Sequence, residues 1–290
     1  MATNTPFGQR LGLVLEGGAM RGIYTAGVLD VFLEAGIMPD VVVGVSAGAL
    51  HGCSYVAGQK GRSIRYYRKY RSDKHFMGLY SLLTTGDVVG TKFCYEDIPL
   101  RLDPFDEAAF EKAPVDFYVT VTNVRTGKPE YILCDELKVG SKMDVIRAGA
   151  SMPLCSKMVE WNGNLYLDGG VSDSIPYAKM KDFGCRKSIV VLTQPAGYLK
   201  QPAAMAPFEA MYRKYPAFVE AMRGRDQMYN TEVCALEQAA KQGDVFLIRP
   251  SKLLHVGRME HDIEVLNAQY ELGRQDARNQ MDAMREWMER

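Results

Sequence analysis

No two of the six cysteines (Cys53, Cys94, Cys134, Cys155, Cys185, Cys234) stand in a C-x-x-C pair. That excludes the usual spacing of a structural zinc site or a dense disulfide framework, and reads as buried thiols of a cytoplasmic protein. No uncharged apolar stretch approaches the roughly 20 residues a spanning helix needs. The opening residues, MATNTPFGQR, offer neither a basic start nor an apolar core, so no secretory signal is read there. Lys+Arg 35 against Asp+Glu 35 leaves a formal charge of +0, which argues against nucleic acid as the main partner. Histidine is scarce, with only four in 290 residues, so few groups are available as an ordinary general base.

What is present is an ordinary globular balance, 47% hydrophobic and 24% charged. Leu11 to Leu15 (LGLVL) is a short apolar run that breaks into Gly17-Gly18-Ala19-Met20-Arg21-Gly22. From Gly22 onward Ile23, Ala26, Val31, Phe32 and Ala35 recur at helical spacing, closed by Gly36. Asp40 then leads into VVVGV, a run suited to a strand buried on both faces. Strand, helix, strand is a βαβ unit with a right-handed crossover. Further strands are expected at DFYVTVTNV (116–124), in a hairpin turned by Asn162-Gly163, at SIVVLT (188–193) and at VFLI (245–248). Residues 202–241 read as helical, and 263–290 as a helix that frays into charge. The expected organisation is one α/β core over 8–200, followed by a mainly helical extension over 201–290 with one strand, packed on the same domain.

Chemistry concentrates at Gly44-Val45-Ser46-Ala47-Gly48, a G-x-S-x-G between a β-branched run and a small-residue helix. A serine on so sharp a turn needs Gly44 and Gly48, because side chains there would collide with strand and helix. The plain alternative is a tight packing turn with an incidental serine. A serine alcohol also needs a base. His51 lies past the first helical turn, His75 sits in a charged surface stretch (RSDKHF), and His261 lies near a helix start. Two candidates remain: His255, in the loop after VFLIRPS, and Asp168 in Leu167-Asp168-Gly169-Gly170. An aspartate of reference pKa ~3.9 serves as a base when a partly desolvated cleft raises it. Against a Ser–His α/β hydrolase stand the mere 45 residues before Ser46 and a glycine loop on the strand just before the elbow strand. A nucleotide binder is a further alternative, but alanine replaces the second glycine of G-x-G-x-x-G and no G-K-[ST] follows. A non-catalytic lipid-binding protein is another.

Taken together, Gly17–Gly22, Gly44–Gly48 and Asp168-Gly169-Gly170 resemble the patatin-like phospholipase family in order and spacing. Ala150-Ser151-Met152-Pro153 and Asp173-Ser174-Ile175-Pro176 fit the family's blocks on either side of the aspartate, and the resemblance spans Leu11 to Thr193. It implies a three-layer α/β/α fold with a mainly parallel sheet and the nucleophile elbow after the second strand. It implies a lipid acyl hydrolase of phospholipase A or lysophospholipase type, with Ser46 as nucleophile and Asp168 as base. The amides of Gly17, Gly18 and Ala19 would form the oxyanion hole, supported by Arg21. Ala19 stands where the family commonly has a third glycine. A Ser–Asp pair calls for neither metal nor organic cofactor, and the implied partner is a lipid or small ester, with peripheral membrane contact. Arg62 to Arg71 (RSIRYYRKYR) would lean on anionic lipid or, more simply, form a solvated helix face with its tyrosines inward. Phe76 to Leu83 (FMGLYSLL) is an acyl-channel, lid or core segment.

Overall fold

The computed structural model describes residues 10–290. Residues 1–9, which include nine of the ten opening residues and residues 8 and 9 of the expected core, lie outside them. Within the described residues eight strands form one sheet: β1 (Arg10–Leu15), β2 (Val41–Val45), β3 (Asp116–Asn123), β4 (Pro129–Leu133), β5 (Val159–Trp161), β6 (Asn164–Asp168), β7 (Cys185–Val191) and β8 (Val245–Ile248). Their order is β5-β6-β3-β2-β1-β7-β8, with β4 also paired to β3. The five strands from β3 to β8 are parallel, and β4, β5 and β6 extend the sheet antiparallel.

Among the described residues eleven α-helices accompany the sheet: α1 (Ile23–Glu34), α2 (Ala47–Val56), α3 (Arg62–Tyr70), α4 (Leu79–Thr85), α5 (Glu107–Lys112), α6 (Met143–Gly149), α7 (Ala206–Met211), α8 (Pro216–Arg223), α9 (Arg225–Gln242), α10 (Ile263–Asn279) and α11 (Met281–Glu289). Side chains alternate across a strand, so Leu11, Leu13 and Leu15 of β1 pack with Tyr24, Phe32, Ala49 and Leu272 of α1, α2 and α10. Val14, between them, points the other way, into a cluster with Tyr229, Leu236 and Ala239 of α9. The result is the expected three-layer α/β/α arrangement with a mainly parallel sheet.

The hairpin turn takes its predicted form: Asn162 and Gly163 both have positive φ (46° and 74°), the requirement of a type I′ turn. Three local readings change. The C-terminal charge does not fray; it forms α11, whose Met284 is buried and whose Trp287 Nε1–H donates to the Gly243 carbonyl at 2.7 Å. The tyrosines of α3 do turn inward, but Arg62 and Arg71 are buried with them. Arg62 donates to Ser54 Oγ and the Asp103 carbonyl, Arg71 to the Met259 and Glu260 carbonyls. A π-helical segment over Phe93–Leu102 had no sequence signal.

The C-terminal helix α10 lies directly on α1 because glycine removes the side chain from both sides. A Cβ on Gly27 would sit 2.1 Å from the Tyr270 carbonyl oxygen, and one on Gly273 2.1 Å from that of Tyr24. The same two tyrosines close the crossing reciprocally: Tyr270 donates to Asp30 at 2.6 Å and Tyr24 to Asp276 at 3.1 Å. Either Gly27→Ala or Gly273→Ala therefore forces the helices apart. Each is expected to lower stability by about 1–3 kcal/mol, the usual penalty of overpacking, read as a lower urea midpoint with an unchanged slope.

Candidate functional site

Ser46 follows β2 directly and caps α2, with φ 52° and ψ −123°. That conformation is costly for a side-chain-bearing residue, of order 1–3 kcal/mol, and it thrusts the hydroxyl out of the strand-to-helix turn. The two elbow glycines are sterically required: a Cβ on Gly44 would lie 2.5 Å from Ala49 Cα, and one on Gly48 2.3 Å from the Leu15 oxygen. Ser46 Oγ donates to Asp168 Oδ2 at 2.6 Å, while Asp168 Oδ1 accepts the Gly170 N–H at 2.8 Å. Both side chains are buried. Burial pushes the Asp168 carboxyl above the ordinary aspartate value, opposed by the Ser46 hydroxyl, the Arg225 charge, the Gly170 N–H and Lys200.

The sheet register explains the meeting of residues 122 positions apart. β2 pairs with Asp116 to Thr120 of β3, ending at Val45 opposite Thr120. β6 pairs with Val121 to Asn123, placing Asp168 opposite Val121. Because β4 spans Tyr118 to Thr122 on the other edge, β2 and β6 share one edge of β3 end to end. Ser46 and Asp168 are the residues at that junction.

The glycine loop lies beside them. A Cβ on Gly17 would come within 2.7 Å of Ser46 Cβ. Ala19 adopts φ +50°, so alanine takes the left-handed conformation that glycine would hold without strain. Leu154, after the Ala150–Pro153 block, is likewise left-handed at φ +66°. Two of the four non-glycine residues with positive φ among those described, Ala19 and Ser46, thus border this cleft. Ser151 accepts the Asp168 N–H at 2.9 Å, which seats that block against the aspartate. Arg21 lines the same cleft, and its buried Nε has no hydrogen-bond partner.

The histidines are elsewhere. His255 and His261 are exposed, and His75 bonds Asp73 at the surface. His51 is buried with neither ring nitrogen partnered, and burial pushes it down to about 4, so it is neutral. Among the described residues, no group of three His, Cys, Asp or Glu could hold a metal, and no helix is long and apolar enough to cross a membrane.

Ser46 stands where two cavities meet. One is apolar and lined by Met20, Leu50, Tyr67, Tyr95 and Ile98. The other holds Glu16, Arg21, Asp168, Lys200, Arg225 and Arg258. Sequence reasoning missed Lys200, Arg225 and Arg258. One signal was available: Arg225 opens α9, where the helix dipole disfavours a cation.

A serine on a strained strand-to-helix elbow, bonded to a buried aspartate where β2 and β6 meet in a mainly parallel sheet, puts the chain among α/β proteins built around a strand–serine–helix turn. The chain belongs to the patatin-like phospholipase family, whose sequence profile matches residues 13–180. A second profile, described only as a domain of unknown function (DUF6363), matches residues 215–289. The uncharacterized protein YjjU of Escherichia coli K12 is 28% identical over 273 residues, covering 91% of this chain and 75% of that protein. Lysophospholipase nte1 of Aspergillus terreus is 30% identical over 182 residues, and NTE1 of Saccharomyces cerevisiae 30% over 190. These alignments cover 61% and 63% of this chain but only 11% of either lysophospholipase, so the chain spans about a tenth of their length. VipD of Legionella pneumophila is a looser structural likeness, with a TM-score of 0.47 and 13% identity over 95% of this chain and 67% of that one.

The segment matched by the second profile contains α9, and α9 is anchored on the Asp-Gly-Gly turn. Arg225 Nε–H donates to the Gly170 carbonyl at 2.5 Å. Two turns further, Glu232 accepts the Ile175 N–H at 3.1 Å and shares a hydrogen bond with Asp173, which also accepts from the Tyr131 hydroxyl. Burial and the Asp173 charge push Glu232 up to about 9, so it holds its proton in the folded chain. Its contribution to stability is complete below the ordinary value of 4.5 and is lost as pH rises toward 9. Glu232→Gln has no proton to lose. It is expected to melt higher than wild type at pH 8, with the difference shrinking toward pH 5 in a series of thermal scans.

Proposed function

We propose that this chain hydrolyses carboxylic esters of lipids through a Ser46–Asp168 dyad and an acyl-enzyme. The observation that carries the reading is the 2.6 Å bond from Ser46 Oγ to Asp168 Oδ2 at the mouth of an apolar cavity. The family membership, and the lysophospholipase names of its relatives, support the same substrate class.

Asp168 takes the Ser46 proton as Oγ bonds to the ester carbonyl carbon. The carbonyl oxygen becomes an oxyanion, held by the amides of Gly17, Gly18 and Ala19 with the positive Arg21 nearby; each such donor is worth about 2.7–4 kcal/mol. The bond to the alcohol then breaks, and Asp168 returns the proton to the leaving oxygen. Water next gives its proton to Asp168 and attacks the acyl carbon, and Ser46 departs reprotonated. The resting Asp168 must be ionised for the first step. Its raised carboxyl therefore sets the acid limb of activity.

Residues 8–200 and 201–290 act as one unit in this reading, supported by the pairing of β8 with β7 and by the α1–α10 crossing. Peripheral contact with a lipid surface is supported by α4, where Leu79 and Leu83 are 69% and 77% exposed. That helix rises between Met77 and Val89, which bridge to each other and line the apolar cavity.

Hydrolysis of a short-chain p-nitrophenyl ester tests the dyad. Ser46→Ala should abolish turnover, and Asp168→Asn should lower kcat by roughly 10²–10⁴-fold, the range of general-base catalysis. His255→Ala should retain wild-type rates. A His255→Ala variant that dies while Asp168→Asn survives would overturn the assignment. In the wild type, kcat/KM should fall on the acid side with an apparent pKa above 3.8, the ordinary value for aspartate.

A further inference from the structure

The two cavities that meet at Ser46 differ in charge as well as polarity. Ala19, Ser46 and Met152 line both. The second cavity, about 1060 Å³, gathers four cations: Arg21, Lys200, Arg225 and Arg258. Among the described residues, none of the four lies within 4.0 Å of a carboxylate oxygen, although the chain forms ion pairs widely elsewhere. The two carboxylates present are already engaged. Glu16 accepts the Thr193 N–H at 2.6 Å and the Tyr229 hydroxyl, and Asp168 accepts from Ser46 and Gly170.

Lys200 and Arg225 are held in place, while Arg258 stands exposed at the rim of the cavity. Asn230 clamps the Lys200 backbone through two hydrogen bonds (2.9 and 3.1 Å), and the ammonium lies 4.2 Å from the centre of the Tyr229 ring. Burial, together with Arg225, Arg21 and Arg258, outweighs the pull of Glu16 and lowers Lys200 to about 8. Arg225 is fixed by its Nε–H to Gly170. Arg71 grips the Met259 and Glu260 carbonyls, fixing the loop that bears Arg258. Three half-buried cations, Arg21, Lys200 and Arg225, with the exposed Arg258 at the rim and no carboxylate paired to any of them, make an anion site, and arginine forks match the several oxygens of a phosphate better than a single carboxylate.

We propose that this cavity binds a phosphate carried on the alcohol half of the ester, with Arg21, Lys200, Arg225 and Arg258 as its ligands. The inference rests on the hydrolase reading above for the orientation alone. With the acyl chain in the apolar cavity and the carbonyl carbon at Ser46, only the alcohol half reaches the cations. Three of the four lie beyond residue 180, where the patatin-like phospholipase match ends. The C-terminal third of the chain therefore selects the headgroup, while the dyad comes from the core.

The test uses the full chain and two soluble substrates that differ only by the phosphate, octanoyl glycerol and octanoyl glycerol phosphate, both below their micelle-forming concentrations. Binding to Ser46→Ala by calorimetry should favour the phosphate compound at least tenfold. Adding Arg258→Ala or Lys200→Ala should reduce that preference at least fivefold, with Arg258→Lys retaining more of it than Arg258→Ala. In turnover by the Ser46 enzyme, the ratio of kcat/KM for the two substrates should follow the same order. Inorganic phosphate should compete with octanoyl glycerol phosphate, raising KM and leaving kcat. Equal binding of the two compounds, or a preference that survives the cation substitutions, overturns the proposal. Stimulation of octanoyl glycerol hydrolysis by inorganic phosphate also overturns it, assigning the site to free phosphate. Preferential binding by Ser46→Ala beside an inert wild-type enzyme would instead count against the hydrolase reading, leaving the anion site standing.

Discussion

The edge of β3 is the constraint on which the site depends. Two strands from opposite ends of the core, β2 and β6, meet end to end along it, one parallel and one antiparallel. The last residue of β2 precedes Ser46, and the last residue of β6 is Asp168. Backbone hydrogen bonds to a single strand thus fix both side chains, with no flexible loop between either group and the sheet. Gly169 can follow so closely only because it has no side chain: a Cβ there would lie 2.2 Å from the Thr120 oxygen. A hydroxyl and a carboxylate held this way stay within hydrogen-bond reach at little reorganisation cost, which is what a preorganised proton transfer requires.

The C-terminal third does more than cover the sheet. α10 lies against α1 through the Gly27–Gly273 crossing, and Gln269 of α10 donates to the Arg21 carbonyl at 3.3 Å, steadying the end of the glycine loop. α9 supplies Arg225 to the Gly170 carbonyl, so the turn that orients Asp168 is held from outside the sheet. Both halves of the candidate machinery, the loop and the turn, are therefore braced by residues after position 200. This couples the stability of the helical extension to the geometry at Ser46.

Much of this was legible in the sequence where local rules dominate. LGLVL and VVVGV read as buried strands because their partners are parallel and covered on both faces. Asn-Gly named its own turn, and G-x-S-x-G placed Ser46 at the elbow. The Asp168 position was chosen by motif, and the fold brings it to Ser46. The strand β4 escaped notice because Pro129 opens it and its burial is only partial. α11 escaped because one buried face, Met284 and Trp287, is hidden among charges. The buried arginines of α3 and the gathering of Lys200 and Arg258 beside Arg21 and Arg225 were beyond sequence reasoning for one reason. An arginine's partner, or lack of one, depends on chain segments far away, and nothing local distinguishes Arg258 from a solvated neighbour.

The most direct test of the central claim is a structure of the chain inactivated by an alkyl phosphonate, a mimic of the tetrahedral intermediate. Hydrolysis through Ser46 requires phosphorus bonded to Ser46 Oγ. It also requires the phosphonyl oxygen within about 2.7–3.1 Å of amides in the Gly17-Gly18-Ala19 loop and the alkyl chain in the apolar cavity. Phosphorus on any other residue, or a phosphonyl oxygen turned away from that loop, would contradict it.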